Sequence, residues 1–155
     1  MKFDKSIIWS FTLLVIVASL YKIMPNRPWG FAPQIAMAIF AGSIVKDKKW
    51  SFLLPLASMF LSDLLFEVLY RYSVVDLKGF YNGQITNYIL FTGLTVFGFF
   101  VNSKKPFSIL IASLAAPTAY FLISNFMVWV MGGGLYRPKT FDGLMMCYTD
   151  ALPFL

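Results

Sequence analysis

The sequence predicts an all-α integral membrane protein: a bundle of five transmembrane helices followed by a short C-terminal re-entrant or interfacial helix. Three observations carry this expectation. Of the 155 residues, 59% are apolar and only 13% are charged, where a soluble domain averages about 45–50% and about 25%. The apolar residues gather into five runs separated by short polar segments, and at roughly 20 residues per crossing the chain has room for about five or six spans. The basic residues sit between those runs, so the net charge of +6 reads as a topology signal and not as a nucleic-acid footprint. Histidine is absent and Cys147 is the sole cysteine. That excludes Ser-His-Asp and Cys-His catalysis, His- or Cys-rich metal sites and an intrachain disulfide. A single membrane domain is expected, with no enzymatic activity, cofactor or metal.

The first span is expected over residues 6–24. It runs on through Tyr21, Lys22 and Ile23 with no convincing small-residue cleavage site near Leu20, so a retained helix is expected and not a signal peptide. Pro25 and Pro28 then break the helix. The second span, 32–45, is short, and Trp29 to Phe31 are expected to complete the crossing as interfacial anchors. Lys46-Asp47-Lys48-Lys49 is a tight charged turn. The third span, 50–70, contains Asp63 and Glu67, and a polar loop follows from Arg71 to Gly83.

The fourth span is expected over 84–101, and Asn102-Ser103-Lys104-Lys105-Pro106 makes a second tight basic turn. The fifth span, 107–131, holds Pro117, which is expected to kink it. Gly132-Gly133-Gly134 ends that helix, and with no Gly-Lys-Ser/Thr after it the triplet is not a phosphate loop. Thr140-Phe141-Asp142-Gly143 reads as a helix start, but the apolar run of 141–152 is too short to span. A truncated chain, or a last helix missing, is expected. Lysine and arginine divide seven against six between the two sides. The two short lysine-dense turns are of the cytoplasmic kind, so a cytoplasmic N-terminus is expected.

Asp63 and Glu67 are the sharpest chemical feature. Four residues apart, they share a helix face, and carboxylates within a bilayer normally face a bundle interior or a wet cavity. One alternative is that Glu67 lies at the helix end and pairs with Arg71 at i+4. Gln84, Asn87 and Tyr88 open the fourth span, and Ser124, Asn125 and Trp129 lie in the outer half of the fifth. Asp63, Glu67, Asn87, Asn125 and Trp129 therefore form a candidate ligand pocket at one depth, with the amides orienting a flat ligand and Trp129 stacking on it. Alternatively, Asn87 and Asn125 join helices by hydrogen bonds. Ala38, Ala41 and Gly42 make a small-residue stripe that suits either internal packing or docking of a partner protein. Cys147 reads as a packing residue.

Two stretches carry a family resemblance. One is Phe31-Ala32-Pro33-Gln34-Ile35-Ala36-Met37-Ala38-Ile39-Phe40-Ala41-Gly42 with, after the basic turn, Pro55 and Ser62-Asp63. The other is Ser124-Asn125-Phe126-Met127-Val128-Trp129, then Tyr136-Arg137-Pro138-Lys139-Thr140-Phe141-Asp142-Gly143, Cys147-Tyr148 and Ala151-Leu152-Pro153-Phe154. From Pro28 onward the chain resembles a family of small uncharacterised bacterial membrane proteins. The Ala36–Asp63 part is similar to the substrate-binding S components of energy-coupling-factor vitamin transporters. That resemblance implies a six-helix bundle in the bacterial inner membrane and an outward-opening site for a vitamin-like nutrient. It also implies a transmembrane coupling subunit docked on the small-residue face and energy from separate ATPases. A structural subunit of a membrane complex, such as the cell-wall machinery, is the alternative.

Overall fold

A computed structural model describes residues 5–24, 33–132 and 136–154, and every regular element among them is helical. The helices are α1 (Lys5–Ile23), α2 (Pro33–Ile44), α3 (Lys48–Ser51), α4 (Leu53–Arg71), α5 (Gln84–Gly93), α6 (Thr95–Phe99), α7 (Pro106–Met131) and α8 (Phe141–Ala151), with a 3₁₀ turn over Leu152–Phe154. The expected anchors Trp29 to Phe31, the proline break before them, and Gly133 and Gly134 lie outside the described residues.

Local chemistry sets the boundaries. Asp47 caps α3 by accepting from the Lys49 backbone N–H at 3.2 Å. Pro55 stands in the first turn of α4, and Pro106 opens α7, positions where a missing N–H costs nothing. Thr140 caps α8 by accepting from the Gly143 N–H at 3.2 Å, with Asp142 in the first turn. Gly132 ends α7 at φ +84°, a left-handed conformation that glycine adopts without a Cβ penalty. The third and fourth expected spans are each interrupted once, at Phe52 and at Leu94. At Leu94 the backbone tightens, with the Phe97 N–H bonding to the Leu94 carbonyl at 3.0 Å. α7 runs unbroken through Pro117.

Two stretches, Lys48–Arg71 and Pro106–Met131, are long and apolar enough to cross a membrane. α1 and α2 carry shorter apolar stretches, Ile8–Tyr21 and Pro33–Ile44. Burial separates α2 from α7. In α2, Gln34, Ile35, Met37, Ala38, Ile39, Ala41 and Gly42 are all buried. In α7, 26 residues long, only Ala112 and Ala116 are. Exposed apolar side chains, among them Phe107, Leu110, Leu114, Leu122 and Phe126, run along most of its length.

α2 is the centre of the bundle. On one side Ile35, Ala38 and Ile39 pack with Leu94, Ala112 and Ala116. On the other, Met37 and Ala41 pack with Ala18 and Leu54. The small-residue stripe makes this possible. A Cβ on Gly42 would meet the Thr95 carbonyl oxygen and come within 2.9 Å of the Gly98 Cα, and a Cβ on Gly98 would strike the Ile39 carbonyl. Ala38, Ala41 and Gly42 are therefore used up inside the chain, with both alanines 0% exposed. Of the two expected uses of this stripe, the burial serves internal packing: α6 and the helices around α2 lie against it. α1 is pinned to α4 by Ser19, whose hydroxyl donates to Val15 O at 2.6 Å and lies 3.2 Å from Ser58 O.

Candidate functional site

Along α4 the buried positions Pro55, Ser58, Met59, Ser62 and Asp63 follow a three-and-four spacing, which makes one stripe facing the bundle. Asp63 ends that stripe, 2% exposed. Its Oδ2 accepts from Gln84 Nε2 and from the Tyr88 hydroxyl, each at 2.7 Å. Gln84 Nε2 also lies 3.1 Å from the Tyr88 oxygen and 3.4 Å from the Gly79 carbonyl. The loop backbone at Gly79 reaches this cluster because it has no side chain: a Cβ there would hit the Asp63 carbonyl oxygen and lie 2.5 Å from Glu67 N.

A second polar group adjoins the first on α5. Gln84, Asn87, Tyr88 and Phe91 share a face by their three- and four-residue spacings. Asn87 Nδ2 donates to the Tyr81 hydroxyl at 2.7 Å, and Asn87 Oδ1 accepts from the Tyr120 hydroxyl of α7 at 3.0 Å. The Tyr120 ring packs on Phe91 with centroids 4.5 Å apart. The result is a carboxylate, two amides and three phenols drawn from α4, α5, α7 and the loop after α4. In an apolar bundle these groups bind one another because each unpaired polar atom would be costly. Gln34 of α2 is an exception, buried with its Nε2 unpartnered. Among the described residues, no group of three or more His, Cys, Asp or Glu side chains is placed to hold a metal ion.

The five residues expected to share a pocket fall into three places. Asp63 and Asn87 belong to the polar cluster. Glu67, four residues on from Asp63, turns to Arg71, accepting from its Nε at 3.1 Å, and Arg71 is 75% exposed. Asn125 and Trp129 lie further along α7. At about 1.5 Å per residue, Trp129 is roughly 13 Å beyond Tyr120, and both residues serve the junction with α8. Asn125 Nδ2 donates to Phe121 O at 2.8 Å, and the Asn125 carbonyl accepts from Cys147 Sγ at 3.5 Å. Trp129 Nε1 donates to Pro138 O at 2.9 Å. Lys139 lies over the Trp129 ring, 5.1 Å from its centroid, and donates to the carbonyls of Trp129 and Val130 at the end of α7. Tyr148 donates to Leu122 O at 3.0 Å. Rising numbers on α8 meet falling numbers on α7, so α8 folds back antiparallel along it.

In the sequence Gln84 and Tyr88 stand out only as polar residues opening a span, Gly79 and Tyr81 only as members of a polar loop, and Tyr120 and Gln34 carry no mark of a place in a site. The i, i+3 and i+4 spacing of Gln84, Asn87 and Tyr88 was the available signal for the first two. A tyrosine in a long apolar run carries no such signal, because its ring alone suits packing.

Fold and site together define an all-helical protein with two helices able to cross a membrane and a polar cluster, centred on the buried Asp63, where α4, α5 and α7 meet. The chain belongs to a family of unknown function, DUF6580, which matches it over residues 3–155. No curated protein and no solved structure matches it. The expected membership of an uncharacterised family is thus shown, and a likeness to S components is not among the matches.

Proposed function

We propose that this chain is a multi-pass protein of the bacterial inner membrane, its N-terminus cytoplasmic, that captures a small vitamin-like molecule for uptake. Separate subunits would supply the energy. The observation that carries the reading is the buried Asp63 carboxylate beside the Asn87 amide, ringed by Tyr81, Tyr88 and Tyr120 in an otherwise apolar bundle. Phenol and amide edges next to one carboxylate suit a small, flat ligand with a few polar groups. Glu67, Asn125 and Trp129 hold the helix end and the α7–α8 junction in this reading. A coupling subunit would dock elsewhere than on the Ala38, Ala41 and Gly42 stripe, which is packed within the chain.

The test is mass spectrometry of small molecules retained by purified full-length protein. Retention should be lost in Asp63→Asn and Asn87→Ala and kept in Trp129→Phe. If nothing is retained, or if both cluster variants hold the same molecule equally well, the reading fails.

A structural subunit of a membrane complex is the second reading. It is favoured by one fact: the Asp63 and Asn87 side chains already have partners within the chain, as groups joining helices do. It predicts stable copurification with a partner protein and no small ligand.

A further inference from the structure

An apolar groove of about 550 Å³ runs between α1 and α4. Thr12 and Ile16 form one wall, Leu53, Ala57 and Leu61 the other, and Val45 and Trp50 its end. The Thr12 hydroxyl donates to Ile8 O at 2.9 Å, so its proton is already engaged within α1. The four residues between Val45 and Trp50 are the basic turn. Asp47 there is engaged in capping α3, and Lys48 donates to Gly42 O at 2.7 Å and lies over the Phe99 ring. Lys46 and Lys49 are exposed.

We infer that this groove binds one anionic phospholipid, an acyl chain lying along α1 and α4 and its phosphate held by Lys46 and Lys49. The inference rests on the chain being membrane-embedded and is independent of the ligand proposed for the Asp63 cluster. Dimensions favour a lipid. From Trp50 to Leu61 the groove is about 16 Å long at 1.5 Å per residue. That matches the roughly 15 Å of hydrocarbon in one leaflet. Its volume is that of a single small-ligand site. Trp50, half exposed, stands where tryptophan sits at the membrane–water interface. Charge complementarity chooses the headgroup: Lys46 and Lys49, exposed and flanked in sequence by the lining residues Val45 and Trp50, attract a headgroup of net negative charge and gain little from one of zero net charge.

The experiment reconstitutes the full chain in phosphatidylcholine vesicles containing a minor fraction of either dibrominated phosphatidylglycerol or dibrominated phosphatidylcholine. Quenching of Trp50 is taken as the difference between the wild-type protein and Trp50→Phe. A lysine near the surface is worth about fivefold in binding to an anionic lipid, so brominated phosphatidylglycerol should associate at least about tenfold more strongly. The double variant Lys46→Gln/Lys49→Gln should bring the two lipids to parity. Ala57→Leu, which narrows the groove, should lower quenching by both. Lys104→Gln/Lys105→Gln, which removes as much charge from the other basic turn, should change nothing. Equal quenching in the wild type overturns the inference while leaving membrane insertion intact, and absence of quenching by either lipid overturns both. An equal loss in the two double-lysine variants would reduce the effect to bulk surface charge and also overturn it.

Discussion

Replacing Asp63 with alanine removes the acceptor on which Gln84 and Tyr88 converge. Both donors lie at 2.7 Å, and hydrogen bonds to a charged group contribute about 1.5–3 kcal/mol each. Gln84 keeps its contacts with the Tyr88 oxygen and the Gly79 carbonyl at 3.1 and 3.4 Å, so its loss is only partial. Removing a buried, desolvated charge also removes an unfavourable term. Together these give a destabilisation of about 3 kcal/mol for Asp63→Ala. Asp63→Asn retains a carbonyl acceptor without the charge and should cost about half as much. A double-mutant cycle with Tyr88→Phe isolates one contact. Neutral interhelical hydrogen bonds in membranes average about 0.6 kcal/mol. Because the acceptor here is a carboxylate, the coupling should be about 1–2 kcal/mol. The assay is helix loss by circular dichroism during denaturing-detergent titration of the purified protein in mixed micelles. An Asp63→Ala variant within about 0.5 kcal/mol of wild type, or a coupling near zero, would refute the argument that this cluster holds α4 to α5.

Two further predictions use the same unfolding assay. Gly98→Leu should separate α2 from α6 and cost about 1–3 kcal/mol or more, since the obstruction is backbone; Gly93→Ala, with nothing within 4 Å of the added Cβ, should be neutral or stabilising by up to about 1 kcal/mol. Glu67→Gln and Arg71→Ala should each change stability by less than about 0.5 kcal/mol, because an ion pair with so exposed a partner is largely screened. A larger effect would mean that Glu67 belongs to the buried cluster after all.

How far the sequence could be read varied with the range of the interaction. Helix starts at Asp47, Pro106 and Thr140, and the stop at Gly132, depend on neighbours within one turn. The start at Thr140 and the stop at Gly132 were legible, while Asp47 and Pro106 read as turn residues just ahead of the spans they begin. Glu67 could be assigned to Arg71 from their spacing alone, as one of two alternatives. Asp63 and Asn87 were recognisable as unusual because polar groups are costly among apolar residues. Nothing in the spacing revealed that Asn125 and Trp129 would be drawn away. That follows from where Pro138 and Lys139 return to α7, and a loop's return path leaves no periodicity.

The sequence by itself determined that the chain is helical, that apolar surface dominates it, and where most helices begin and end. These properties follow from composition, period and capping, which are local. Tertiary structure decided which apolar helix is core and which is bare. α2 and α7 look alike in composition, and both carry small residues at helical spacing, yet α2 is packed on two sides, with Gly42 against Gly98, while α7 buries only Ala112 and Ala116. It also decided where individual charges point. Asp63 is turned inward to an amide and a phenol, while Lys46 and Lys49 are left exposed. Burial and pairing between distant residues depend on how helices meet in space, and the order of residues along the chain does not record that.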